Sequence, residues 1–497
     1  MSELVDLIRA GEGRGLDFVR LDELRKRTGI ASGEVMKFST CEMLCNSLDT
    51  DATDVSVEIE TSNDFTSLTI RDNGSKRLSE ADLSLILDFD NKASSKLGFL
   101  RVSRGYLGNA LKCIFGYTHA LAEADGLPPP EIIVSSHGRE YRIRLRPDRI
   151  ADRIEPEIQT KEIEDDGRNA FTVAFPASIP VAPRTLRGLL TATSMVNPRR
   201  RISFDVSGDR GTLGEAAGDE SLRKDTSILW YIPQEFEALF KDFMRARPGT
   251  QLKEFISLFR GLTRKSSIRD ILHDLNEASN HDSGDEVHMQ FVPATPISEL
   301  SDADIVSLCS AMKKRSKTIS KRSLSRVLGV VGEEQFEKTR RANGWERLRY
   351  TCIVESEDQN ARIYPYILEL AVFDRGKDDM EGLKVYQCVN FMATTESLFS
   401  RSFDVAYRLG RVGIRPEAPV TVLIHFVSPI LSWLNYGKSS LYLSEDRIMT
   451  KAFDKLLPIP KTPRVYRPPP PPKPLSWVPS GKLGDYAYEA RLTSPGR

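Results

Sequence analysis

No hydrophobic run in this chain approaches the length needed to cross a bilayer, and the opening MSELVDLIRAGEGRG lacks the apolar core of a secretion signal. These absences predict a cytoplasmic protein with no membrane association. The six cysteines form no Cys-x-x-Cys pair and no Cys/His cluster at zinc-site spacing. Buried thiols are therefore expected in place of disulfides or metal ligands, with Cys41 and Cys45 as small core residues. Net charge is absent as well, because 70 basic and 70 acidic side chains cancel. No overall field draws the chain to nucleic acid, so any such binding must come from a local patch. What the chain does have is core-forming material, 40% hydrophobic against 28% charged in 497 residues, enough for about two to four domains.

The rest is organised around GFLRVSRGYLGNALKCIFGYTHAL, from Gly98 to Leu121. Gly105 and Gly108 precede a helical period in which Leu111, Ile114, Phe115, Thr118 and Leu121 share one stripe. A glycine-bearing loop running into a helix N-terminus can cradle phosphate, since its backbone approaches closely and the first N–H groups have no intrahelical partner. The same pattern also suits a tight turn. Upstream, a helix from about Lys37 to Leu48 places Glu42, Asn46 and Asp49 on one face among Met, Leu and Cys. That face is either a functional stripe or a solvated one.

Strands follow, with Val55, Val57 and Ile59 alternating, then Leu68 and Ile70 before the turn Asp72-Asn73-Gly74. SEADLSLILDFDNKASSKLGF reads as a helix and a polar loop, and EIIVSS, EYRIRLR and FTVAF read as further strands. The expected first domain is an α/β layer pair, an antiparallel or mixed sheet covered by helices on one face. Trp230 to Phe259 reads as aromatic-rich helix packing that domain onto its neighbour, and residues 278–300 as a loop. Beyond Pro458 the proline run predicts an extended spacer without a folded domain.

In this order, the Glu-x-x-x-Asn helix, the strand ending in DNG, the Ser-Ser-Lys loop and RGYLGNALK resemble the Bergerat nucleotide-binding fold of the GHKL ATPases (gyrase, heat-shock chaperone, histidine kinase and MutL proteins). Within that superfamily the wording is most similar to the B-type, ATP-binding subunits of DNA topoisomerase VI. NSLDT (Asn46 to Thr50) is similar to the family's NSLDA, and SKLGFLRVSRGYLG (Ser95 to Gly108) to its SK-x-G…RG-x-x-G. TATSMVNPRRRISF (Thr191 to Phe204) resembles its Asn-Pro segment, and Leu300 to Glu334 its helix-two-turn-helix insert. Ile363 to Gly376 and Val385 to Phe399 resemble transducer strands, and Val420 to Leu441 the element that carries the switch lysine, here Lys438.

The resemblance implies a multidomain α+β or α/β chain. A Bergerat ATPase sandwich would span 1–225, a helical linker with a helix-two-turn-helix-like domain 226–340, a second α/β transducer domain of ribosomal-protein type 341–460, and the Pro-rich tail 461–497. It implies ATP and Mg²⁺ as cofactors. Glu42 would be the base that activates water, Asn46 the metal ligand, Asp72 the partner of the adenine amino group, and Gly74 a point of close backbone approach. Gly105, Tyr106, Leu107, Gly108, Asn109, Ala110, Leu111 and Lys112 would wrap the phosphates, with Ser95 and Lys96 lining that lid and Lys438 touching the terminal phosphate. Lys76 and Ala110 replace glycines common in the family, which restricts the backbone there and puts turnover rate in question.

The implied function is an ATP-operated clamp subunit of a topoisomerase VI-like DNA topoisomerase. It would form an ATP-dependent homodimer, trap duplex DNA, and rely on a separate Toprim-containing topoisomerase VI A-type subunit for cleavage. The rivals are the same clamp serving DNA defence or repair without strand passage, and a nucleotide-binding scaffold. Arg199 to Arg201 would meet DNA phosphate or form a solvated loop. The basic run from Lys313 to Arg326 would meet the DNA backbone or form a solvated helix face.

Overall fold

Val55, Val57 and Ile59 are all fully buried while Ser56, Glu58 and Glu60 are not, and this alternation sets the orientation of the first sheet. The computed structural model describes residues 8–12, 15–94, 98–103, 109–217, 225–281, 290–359, 362–376, 379, 381–394, 405–431 and 446–456. Strand β1 (Ile8–Glu12) is followed by a 3₁₀ turn (Gly15–Val19), α1 (Leu21–Thr28) and α2 (Val35–Leu48). Next come β2 (Asp54–Thr61), β3 (Phe65–Asp72), α3 (Glu80–Ile86), β4 (Asn91–Ser94) and α4 (Ala110–Ala124). The first unit closes with β5 (Ile132–Ser136), β6 (Arg139–Asp148), β7 (Arg153–Glu162), β8 (Asn169–Pro176), α5 (Pro183–Val196), β9 (Arg201–Val206) and β10 (Asp209–Leu213).

Eight of these strands form one sheet in the order β10-β9-β2-β3-β8-β5-β6-β7. It is mixed, because β2 and β9 run parallel while the remaining pairs are antiparallel. Helices α2, α4 and α5 pack on it, and the opposite face carries polar pairs such as Thr69 Oγ1 and Thr172 Oγ1, 2.9 Å apart. β7 was not legible in the sequence. It is an edge strand with Pro156 in its middle and most of its side chains exposed, so no burial alternation marks it. β1 and β4 pair antiparallel as a small separate sheet, with β4 in a segment that the sequence suggested was polar loop.

Helix α4 departs from the expected amphipathic stripe. Every residue from Lys112 to Ala122 is buried, so it is a central helix enclosed on all sides. Gly116 makes that enclosure possible, since a Cβ there would lie 1.7 Å from the carbonyl oxygen of Phe18 in the 3₁₀ turn. Gly116→Ala is expected to destabilise the fold by about 1–3 kcal/mol through overpacking, read as a lowered thermal midpoint.

The middle of the chain is helical: α6 (Pro233–Ala246), α7 (Leu252–Ser257), α8 (Lys265–His281), α9 (Asp302–Arg315), α10 (Lys321–Leu328) and α11 (Glu333–Ala342). α8 continues to His281, beyond residue 278 where a loop was expected. Phe236, Phe240, Phe243, Phe255 and Phe259 stack edge to face, with Phe240 and Phe255 centroids 4.7 Å apart. Phe99 of the first unit joins this cluster against Phe243, and Tyr231 OH accepts from Leu100 N–H at 2.7 Å.

The second sheet comprises β11 (Arg347–Gln359), β12 (Arg362–Asp374), β13 (Lys384–Val389), β14 (Met392–Ala393) and β15 (Val420–Val427), with α12 (Val405–Arg411) and α13 (Asp446–Leu456) beside it. Its order is β11-β12-β15-β13-β14. Ile367, Ala371, Phe373 and Leu423 face a core continuous with the first unit and the helices. Leu368, Leu370, Val372, Val422 and Ile424 face a second core closed by Leu409, Ala452 and Phe453. Burial on both faces is why β12 carries apolar residues at successive positions, Tyr366 to Leu368 and Leu370 to Phe373, interrupted by Glu369.

Candidate functional site

The inward alternation of three neighbouring strands ends, at one edge of the sheet, in polar residues. On β3, Leu68 and Ile70 lead to Asp72; on β8, Val173 and Phe171 lead back to Asn169; on β5, Ile132 and Val134 lead to Ser136. Asp72 and Asn169 are register partners. All three polar residues are buried, and their bonds form a chain. Leu78 N–H donates to Ser136 Oγ (2.9 Å), and Ser136 Oγ donates to Asn169 Oδ1 (2.8 Å). Asn169 Nδ2 donates to Asp72 Oδ1 (3.3 Å) and to the Lys76 carbonyl (3.2 Å). Asp72 Oδ1 also accepts from Gly74 N–H (3.0 Å), and its Oδ2 accepts from Ser47 Oγ (2.7 Å). The carboxylate is therefore buried and held in one orientation by three donors, which compensates its removal from water.

Gly74 is demanded by space. A Cβ would come within 2.7 Å of Thr50 Oγ1 and 3.0 Å of Asp72 Oδ1. Asn73 locks the turn from outside, its Oδ1 accepting from Thr53 N–H and Asp54 N–H at 2.9 Å each. Lys76 is exposed, with its carbonyl tied to Asn169.

The Ser47–Asp72 bond joins the end of β3 to α2, the helix that carries Glu42 and Asn46. Glu42 is 4% exposed and Asn46 is exposed, so one stripe of the helix carries a covered acid and, one turn later, about 6 Å along its axis, an open amide. The C-terminus of α2 is braced from across the sheet. Arg200 is buried, and its guanidinium donates to the carbonyls of Leu48 and of Thr50 (the latter at 3.1 Å), a cation where the helix dipole is negative. Arg201 is exposed but committed to the Asp54 carboxylate, Nε to Oδ2 at 2.8 Å. With Arg200 drawn inside and Arg201 paired, the basic triplet does not form a three-arginine DNA patch; Arg199 alone of the three is exposed with no such inward bond described.

α4 packs against α2. Asn109 is its N-cap residue without a side-chain cap bond, and Ala110, Leu111 and Lys112 form the first turn. Lys112 does not extend outward as a surface charge; it is 1% exposed and its Nζ donates to the Asp88 carbonyl. Ser95, Lys96, Gly105, Tyr106, Leu107, Gly108 and Lys438 lie outside the described residues, as do Arg104 and the proline-rich tail.

Sequence reading missed Ser47, Asn169 and Ser136, and took Arg200 only as part of a basic triplet, without its brace on α2. The first three had one available signal: each continues an inward strand or helix position with a polar residue. Arg200 had none, because its carbonyl partners lie far away in the chain. The basic run is also altered by folding. It is acid-free in sequence, yet Asp274 of α8 accepts from Arg315 Nε and Nη2 at 2.7 Å and from Lys314 Nζ at 3.1 Å. The Arg315 guanidinium, with Lys314, holds the Asp274 carboxyl down to about 2. Lys317, Lys321, Arg322 and Arg326 remain exposed.

No protein-family model matches the chain, and no curated protein matches it. Among solved structures the chain is similar to the N-terminal domain of a DNA repair protein, with 11% identity over 85% of this chain and 94% of that one and a TM-score of 0.39. It is similar to the B-subunit of the DNA gyrase from Myxococcus xanthus, with 11% identity, 87% and 91% coverage and a TM-score of 0.35. The MutL ATPase domain of Aquifex aeolicus, complexed with ADP, gives 10% identity, 80% and 92% coverage and a TM-score of 0.32. Likeness this distant carries no functional argument, so the site geometry must carry it. Among the described residues, no helix is long and apolar enough to cross a membrane.

Proposed function

We propose that this chain binds and hydrolyses ATP at the end of β3 and along α2, with the N-terminus of α4 toward the phosphates, as a GHKL-type ATPase. The observation that carries the reading is the buried Asp72 carboxylate, fixed by Ser47, Gly74 and Asn169 beside a glycine with no room for a side chain. A carboxylate so oriented accepts from an exocyclic amino group, and the tight Gly74 backbone lets a flat base approach. Glu42 would orient and deprotonate the attacking water, within a largely water-excluded helix face. The hard carbonyl oxygen of Asn46 suits Mg²⁺, which when bound would offset phosphate charge. Asn109 to Lys112 would present backbone N–H groups at the α4 N-terminus, while Gly105 to Gly108, Ser95, Lys96 and Lys438 belong to the proposal on their sequence alone.

In this reading residues 1–225 form the ATPase domain, 226–340 the helical domain and 341–460 the transducer. The whole would act as an ATP-dependent dimeric clamp on duplex DNA, partnered by a Toprim-containing topoisomerase VI A-type cleaving subunit. Sizing the protein with and without a non-hydrolysable ATP analogue tests it. A shift from monomer to dimer that disappears in Asn46→Ala is expected, and a constant size would count against the clamp.

A second reading keeps the ATP clamp but assigns it to DNA defence or repair without strand passage. Lys76 and Ala110 favour it, because each stands where the family commonly has glycine and restricts the backbone there. Supercoil relaxation with the cleaving subunit separates the two.

A further inference from the structure

The turn joining β13 to β14 contains two residues, Asn390 and Phe391, since Val389 pairs with Met392. Both have left-handed backbone, φ 46° and 66°. A two-residue hairpin with positive φ at both positions suits Asn followed by Gly; a Phe in the second place is strained and persists only where its surroundings hold it. Those surroundings come from both sheets. Phe391 N–H donates to His425 Nε2 (3.2 Å), and its carbonyl accepts from Asn197 Nδ2 (2.6 Å) just past α5. The Phe391 ring stands edge-on to His425 with centroids 4.6 Å apart.

Asn390 is the turn's link to the candidate site. It is 7% exposed, and its amide bonds in both directions. Oδ1 accepts from Ser428 N–H (2.9 Å), while Nδ2 donates to the Ser428 carbonyl (2.9 Å) and to the Ser103 carbonyl (2.8 Å). Ser103 ends the described stretch 98–103, which lies between β4 and α4. Just past the same turn, the Ala393 carbonyl accepts from Cys41 Sγ (3.7 Å), and Cys41 immediately precedes Glu42 on α2. One strained hairpin thus grips both the chain ahead of α4 and the helix that carries Glu42 and Asn46.

We infer that Asn390 is a positioning residue for nucleotide turnover, fixing the 98–103 segment to the second sheet so that this segment, α2 and β13–β15 hold one mutual geometry. The inference rests on the ATP-site reading given above. A bond from Nδ2 across the unit boundary has no purely local purpose, because the Ser428 bonds alone already hold the Asn390 side chain.

Two substitutions test it. Asn390→Gly preserves the left-handed turn and removes the amide. Asn390→Asp preserves the acceptor for Ser428 N–H but puts a carboxylate oxygen where the donor to Ser103 stood. The expected result is a fall in kcat of at least about tenfold in both, since Gly removes three side-chain bonds and Asp two, with analogue affinity changed by less than about threefold. Amide exchange at 98–103, measured without nucleotide, should quicken in both variants while β2 and β3 keep their protection. Unchanged exchange at 98–103 overturns the inference, as does unchanged kcat in a wild type that hydrolyses ATP. A wild type that hydrolyses nothing defeats the ATP reading and with it Asn390's role in turnover, and the exchange measurement still decides whether Asn390 fixes the segment.

Discussion

Glu42→Gln is expected to lower ATP turnover by about 10²–10⁴-fold while leaving analogue affinity within about threefold. Gln matches Glu in size, so the buried position stays filled and α2 keeps its packing; only the capacity to take a proton from water is removed. Ala would open a cavity and mix a folding defect with the chemical one. Steady-state phosphate release together with equilibrium binding of a non-hydrolysable analogue checks the prediction. Equal turnover in wild type and variant would defeat the enzymatic reading. Asn46→Ala should behave differently, weakening nucleotide binding in a magnesium-dependent way, because in the proposed site this exposed amide one turn along the helix would ligate the metal and would have no base function.

Removing the Glu369 carboxylate should have the largest effect on stability, about 3–5 kcal/mol for Glu369→Ala, since each buried donor left without its acceptor costs about 1–3 kcal/mol before the site relaxes. Glu369 lies on β12 directly opposite His425 on β15, and both side chains are fully buried. His425 Nε2 accepts from Phe391 N–H, so the ring proton is on Nδ1, 2.9 Å from Glu369 Oε2. Glu369 also accepts from Val331 N–H (3.0 Å), Gly332 N–H (2.8 Å) and Tyr350 OH (2.8 Å). Alanine would strand all four donors. Denaturant unfolding followed by tryptophan fluorescence, to which Trp345, packed 4.9 Å from Phe373 of β12, contributes, reads the loss.

The same carboxylate predicts a pH dependence. Burial pushes the Glu369 carboxyl up, but the hydrogen bonds from His425, Gly332 and Val331 outweigh it and leave the group below the usual glutamate range. A carboxyl depressed by folding stabilises fully above its unfolded value, and that contribution drains away as pH falls through the folded value. Wild type should therefore lose stability on acidification below about pH 4.5, with Glu369→Gln showing a shallower decline there. Parallel slopes in the two proteins would count against this account.

Much of the fold is legible locally because its signals are local. Val55, Val57 and Ile59, or Leu68, Ile70 and Asp72, need only the strand period to declare which side faces the helices. α2 and the DNG turn are readable for the same reason, and so is the likeness that groups Glu42, Asn46, Asp72 and Gly74. α4 declares itself a helix but not its surroundings. A stripe suggests one buried face, whereas Gly116 lets the Phe18 backbone close over the other side.

The sequence alone determined the strands β2 and β3, the polar stripe on α2 and the turn that needs Gly74, each specified by neighbours within a few residues. Tertiary structure decided what those groups touch. Asn169 and Ser47 converge on Asp72 from distant segments, Arg200 is drawn inside to brace α2, Asp274 neutralises part of a run that is purely basic when read along the chain, and Asn390 reaches Ser103 from the second sheet. Hydrogen bonds and ion pairs between residues far apart leave no period or spacing in a sequence, because they depend on how strands are ordered and on which surfaces exclude water.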